Sequence, residues 1–271
     1  RLGLFFLSVG LVITLAFGTF RFGHRDERTE IAVEEAADQA VSDVDENDPI
    51  YQAFQEESIN HLHINGGYGE IYISSADYFY VDSGYDPEEI YVEGDTLCIN
   101  TGQDSFDEAL YLSLPGGYQF QSAEISVGAG LVEIADGLIA GQISVTVGAG
   151  EFYGYGLTGE ENCRLTTGAG TCNAYDLRTE HLEAETGIGT MDLSVAQLGT
   201  ANISTGIGNT MLSLPGERSD YDYEISSEMG EVTLGEETFD FTDLPVTQDN
   251  GQDRTIHVEN GMGSTEIYFG Y

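Results

Sequence analysis

Lysine and tryptophan are missing altogether from these 271 residues, and the only basic side chains are eight arginines against 48 acids, a formal charge of −40. That shortage excludes nucleic acid as a partner, because a surface that cannot neutralise phosphates has no grip on their backbone. Anionic lipid headgroups are repelled for the same reason, so no part of the folded region is expected to lie flat on a bilayer. Without lysine there is also no phosphate-binding P-loop. Cysteine is scarce too. Cys98, Cys163 and Cys172 are odd in number and contain no C-x-x-C, which rules out a disulfide framework and a zinc-ligand spacing. No G-x-S-x-G or other nucleophile motif occurs, and no insertion is long enough to build a cleft, so no catalytic residue is expected. Proline is rare, at five, while glycine is abundant, at 35. Many tight corners follow, in a chain too rich in Tyr, Phe, Ile and Leu to be disordered.

What is present begins with residues 2–20, LGLFFLSVGLVITLAFGTF, which carry no charge. At about 1.5 Å per residue this run nearly spans a bilayer core of about 30 Å. No small-x-small cleavage site follows, so residues 1–21 are expected to be a retained transmembrane helix rather than a cleaved signal. Arg21, Arg25 and Arg28 follow it and only Arg1 precedes it, which taken alone favours a cytoplasmic C-terminal side. Residues 22–49 are acidic, with Val33, Ala37, Val41 and Val44 at near-helical spacing before SDVDENDP, and read as a juxtamembrane helix and linker. The folded region is expected to start near Ile50.

Five Gly-x-Gly triplets then recur, at Gly128–Gly130, Gly148–Gly150, Gly168–Gly170, Gly187–Gly189 and Gly206–Gly208, in steps of 20, 20, 19 and 19 residues. A period near 20 is far too long for a heptad and points to a solenoid of stacked coils. Aligned on the first glycine, positions −5, −3 and −1 hold only apolar residues or Thr, and positions −4 and −2 hold only polar ones. This is strand periodicity with one buried face. It resumes after the triplet, as at Val132, Phe152, Cys172, Met191 and Thr210. The expectation is an all-β chain, a parallel β-solenoid or β-helix with coils of about 19–20 residues and the glycines at its corners. Residues 127–216 are the regular coils, 50–126 irregular strands and capping coils, and 217–271 a C-terminal cap built of echoes such as YEISSEMGEVTLG.

Candidate ligand sites are few. None of the triplets continues as G-x-G-x-x-G before a helix, so no nucleotide cofactor is expected. Outward Glu133 and Asp192 share a phase, but Tyr153 and Asn173 separate them, and no metal site follows. His61 and His63 leave one strand face without a third ligand. Aromatic residues are the more informative group. Tyr153, Tyr155, Tyr221 and Tyr223 are taken as surface aromatics able to stack on sugars or anchor a protein, the alternative being cross-strand pairing that only stabilises the sheet.

The run LSLPGGYQFQSAEISVGAG, with the ISVTVGAG and LTTGAG coils that follow it, resembles the bacterial "putative adhesin" domain of unknown function over roughly residues 58–271. The resemblance implies a membrane-anchored cell-envelope protein with its C-terminal domain outside the cell, which reverses the topology suggested by Arg21, Arg25 and Arg28. It supplies no catalytic residues. Sorting-signal motifs of the LPxTG type are absent, since Leu114-Pro115-Gly116-Gly117 and Leu214-Pro215-Gly216-Glu217 both fail the pattern, and without lysine no Lys–Asn isopeptide bond can form. The expected role is a non-enzymatic adhesin or envelope scaffold binding a glycan, a wall component or a protein. The alternative is an envelope-stress accessory that binds cationic peptides or a sensor; a glycan-active β-helix enzyme ranks below both.

Overall fold

In the computed structural model, residues 49–56, 58–83, 90–101, 109–240 and 243–270 are described, within a folded unit spanning Pro49–Tyr271. The membrane span expected over 1–21, and all but the last residue of the linker expected over 22–49, lie outside the described residues. Among those that are described, no helix is long and apolar enough to cross a membrane.

The unit is all-β with a mostly parallel sheet. A short helix, α1 (Pro49–Gln55), precedes the strands β1 (His61–Ala76), β2 (Tyr80–Ser83), β3 (Ile90–Glu93), β4 (Thr96–Thr101), β5 (Ala109–Pro115), β6 (Gln119–Ile134), β7 (Ile139–Tyr155), β8 (Thr158–Leu214), β9 (Asp222–Leu234), β10 (Glu237–Asp240), β11 (Val246–Gln248) and β12 (Thr255–Phe269). The period read from the glycines is the pairing register itself. Ala129 of β6 lies opposite Ala149 of β7, which lies opposite Ala169 of β8. β8 winds through the next two repeats as one long strand.

The buried side chains are those that the alternation selects. Ala123, Ile143, Cys163, Leu182 and Ala201 at position −5, and Ile125, Val145, Leu165, Ala184 and Ile203 at −3, are all within 1% of full burial. They form one continuous core, in which each large aliphatic side chain contributes about 1.5–3 kcal/mol. Large and small residues compensate along it. Phe152 is accommodated because Gly154 has no side chain; a Cβ there would come within 2.8 Å of the Phe152 ring. All three cysteines are buried and free. Burial pushes the Cys163 and Cys172 thiols up to about 12, which leaves them protonated and unreactive.

Two features were not legible in advance. The Gly-x-Gly corners do not interrupt the strands, because pairing continues straight through them, Gly130 opposite Gly150 and Gly150 opposite Gly170. The stacking order also departs from chain order at both ends. β12 lies between the last turn of β8 and β9, pairing parallel with each. β1 likewise lies between β6 on one side and β4 and β5 on the other. The outermost coils are therefore β4–β5 and β9, edged by short antiparallel strands: β3 on β4, β2 on β5, and β10 and β11 on β9. Such strands occupy ladder groups that would otherwise template another chain. The same register reaches beyond residues 127–216, to His61–Ile73 of β1 against β6 and Thr255–Ile267 of β12 against β9.

Candidate binding surface

The ten corner glycines are placed where only glycine fits, for two different reasons. At the second glycine of each triplet the backbone has a positive φ, from +137° at Gly150 to +150° at Gly189, a conformation that L side chains rarely adopt. At the first glycine the obstacle is contact: a Cβ on Gly128, Gly148, Gly168, Gly187 or Gly206 would sit on the carbonyl oxygen of the glycine one coil away. They form packing geometry, with neighbouring backbone filling the space a ligand would need.

Tyr153 and Tyr155 do lie on the outer wall. Tyr155 is 39% exposed and Tyr153 half-buried. In-register pairing brings Tyr111, Tyr72, Glu133, Tyr153 and Asn173 side by side on five successive coils. The next coil continues the row with Asp192, which accepts a hydrogen bond of 2.9 Å from the hydroxyl of Tyr175. Tyr155 and Tyr175 form a parallel second row two residues on, their rings 5.4 Å apart and tilted by 32°. Tyr72 and Tyr111 stack at 5.0 Å with planes 8° apart. In each pair one ring face is covered by its neighbour, so a ligand meets ring edges, hydroxyls and carboxylates.

The electrostatics of this wall are set by partial burial. Desolvation between the flanking tyrosine-bearing coils raises the Glu133 carboxyl above its ordinary value. Burial also raises the Tyr72 phenol, followed by its 2.8 Å hydrogen bond to Glu70, so the phenol stays a donor. Chemically the wall offers carboxylate acceptors, an amide and phenol groups at the regular spacing of the coils. That is equipment for holding hydroxyl-rich or cationic groups, with no nucleophile–base pair in it.

Tyr221 and Tyr223, expected at the surface, are corrected by the structure: they are 0% and 4% exposed. The reason is phase. Glu228 stands where the other coils have their first glycine, so the phase of this echo of the repeat is marked by Gly230 alone. Tyr223 pairs with Ile256 and thus takes the inward −5 position. Both rings work as structural polar anchors. The Tyr221 hydroxyl donates to the Pro215 carbonyl at 2.6 Å, and the Tyr223 hydroxyl accepts from Arg218 Nε at 2.8 Å. His61 and His63 do not come together with a third ligand, and among the described residues no group of three His, Cys, Asp or Glu is placed to hold a metal. His61 instead shares a 2.7 Å hydrogen bond with Ser122. Sequence reasoning missed Tyr111 and Tyr175 as members of the wall, although the phase of Tyr175 relative to Gly170 carried that information.

No family model and no curated protein matches the chain. Among solved structures it is similar to a "putative cell adhesion protein" from Clostridium sporogenes, at 15% identity over 78% of this chain and 93% of that one, with a TM-score of 0.31. It is also similar to a "putative adhesin" from Bacteroides fragilis, at 12% identity over 77% and 92% of the two chains, with a TM-score of 0.34. Likeness at these scores assigns no function to the chain.

Proposed function

We propose that this chain is a non-catalytic binding scaffold of the adhesin type: a parallel β-solenoid with coils of 19–20 residues, held at the cell membrane by residues 2–20 and displayed outside the cell. Its ligand is a glycan or another hydroxyl-rich wall component, gripped by the tyrosine–carboxylate wall. The observation that carries this reading is the in-register row Tyr72, Glu133, Tyr153 and Asn173, continued by Asp192 at the same offset from its corner glycine. A rigid stack holds these side chains at fixed spacing without ordering cost at the moment of binding, which favours recognition of a repeating polymer.

Retention of the protein on a glycan array tests the reading. Tyr153→Ala and Asp192→Asn, both on the outer wall, are expected to weaken retention at least tenfold while leaving the melting transition in place. Indifference of the array to both changes, or no retention of the unchanged protein, would remove the glycan reading. Display outside the cell is tested separately, by digestion of residues 50–271 with protease on intact cells; protection until lysis would overturn it. The second reading, binding of cationic peptides, is favoured by the balance beyond residue 50, where 38 acids face only Arg164, Arg178, Arg218 and Arg254.

A further inference from the structure

A second surface, separate from the tyrosine wall, lies at the Gly-x-Gly bend. The residue just before the bend's second glycine is at least partly exposed on the coils from β6 through β8, β12 and β9, and its size changes along the stack. It is Ala129, Ala149 and Ala169 on three successive coils, then Ile188, Ile207, Met262 and Met229 on the next four. These last four are 59%, 48%, 45% and 55% exposed. Because β12 is inserted beside β8, residues far apart in sequence complete one ridge, Ile207 opposite Met262 and Met262 opposite Met229. Four coils at strand spacing make it about 14 Å long. Contiguous exposed side chains of this size mark an interaction site.

The ridge's neighbours define what can cover it. Glu185 and Glu259 each stand three residues before a ridge residue and are exposed, and Glu228 and Glu231 flank Met229. The arginines of the described unit are engaged elsewhere: Arg164 with Glu183, Arg178 with Asp176, Arg218 with Glu237, and Arg254 over the Tyr221 ring. A second copy of this chain is a poor occupant, since a twofold contact here would set carboxylates against carboxylates. Anionic lipid is repelled by the same groups.

We propose that the ridge Ile188–Ile207–Met262–Met229 is a docking site for a basic amphipathic polypeptide segment, whose apolar side chains cover the ridge while its lysines or arginines meet Glu185, Glu228 and Glu259. The ridge length matches two to three turns of helix at about 5.4 Å per turn. Partner choice then comes from two requirements together, an apolar stripe and positive charge.

The test uses the full chain and three synthetic helical peptides of about 14 residues, built from Leu and Lys, from Ser and Lys, and from Leu and Glu, with binding followed by calorimetry. The Leu/Lys peptide is expected to bind at least tenfold more tightly than either of the others. The exposed changes Ile207→Ser and Met262→Ser together, or Glu185→Gln and Glu259→Gln together, are expected to weaken it at least tenfold. Equal binding of the Ser/Lys peptide would reduce the effect to diffuse charge attraction and overturn the proposal. So would ridge variants that bind as tightly as the unchanged protein, or that merely abolish self-association or adhesion to phosphatidylcholine vesicles. Peptide binding unaffected by Tyr153→Ala keeps this outcome distinct from that of the glycan experiment.

Discussion

Single side chains inside the coils show where the pattern of buried apolar residues is broken and what each break costs. At position −1 the interior holds Val127 and Val147 in two coils but Thr167, Thr186 and Thr205 in the next three, all buried. Thr205 shares a 2.6 Å hydrogen bond with Thr210, whereas the Thr186 hydroxyl has no partner. A buried, unpartnered hydroxyl costs about 1–3 kcal/mol. Thr186→Val, which keeps the shape already present at Val147, is therefore expected to stabilise the protein by about 1 kcal/mol or more in urea unfolding. No gain would mean that the hydroxyl is solvated. Glu133 makes a second residue-scale prediction. Its carboxyl is raised in the folded state, so the folded chain holds that proton at a pH where the unfolded chain has lost it. Its contribution to stability is thus greatest in acid and falls as pH rises from the ordinary carboxylate value through the raised one. Glu133→Gln is expected to be stabilising at about pH 7 relative to the unchanged protein, with the difference shrinking at about pH 4. A pH-independent difference would count against this assignment.

For the coils, the glycines separate conformational cost from close approach. Gly170 combines φ +140° with a Cβ position on the carbonyl oxygen of Gly150, while Gly235, at φ +65°, has nothing within 4 Å. Gly235→Ala is expected to cost about 1–2 kcal/mol, the left-handed penalty alone. Gly170→Ala should exceed it by at least about 2 kcal/mol, since backbone must move in two coils. Equal midpoints in a denaturant titration would contradict the stacking geometry. The coil interior was legible in the sequence because alternation is local: Ile125, Val145 and Leu165 declare their phase from their own neighbours. The order of the coils was not. The segment of β12 keeps both corner glycines, Gly261 and Gly263, and that of β9 only Gly230, yet which of them lies against β8 is a choice between partners far apart in the chain. Tyr221 and Tyr223 were misplaced for a related reason, the replacement of a marker glycine by Glu228. The tyrosine wall was half legible, through Tyr153 and Tyr155, while Tyr72 and Tyr111 joined it only once β1 and β5 were seen to stack against it.

Over the whole molecule, the two out-of-order insertions decide how the ends behave. β12 supplies ladders to both β8 and β9, so its removal strips partners from two coils and opens the core at Ile203, Leu212 and Ile225. Deletion of residues 255–270 is accordingly expected to abolish the cooperative melting transition and to render the rest of the unit sensitive to protease. A shortened chain that melts as the full one does would show that the insertion is dispensable. The same arrangement has a mechanical meaning for a protein read as tethered through its N-terminal side. A load entering at His61 reaches a strand held on one flank by β6 and on the other by β4 and β5. An outermost strand could be unzipped from a single neighbour; here two neighbours must yield together, so a pull applied at β1 meets a strand held on both flanks.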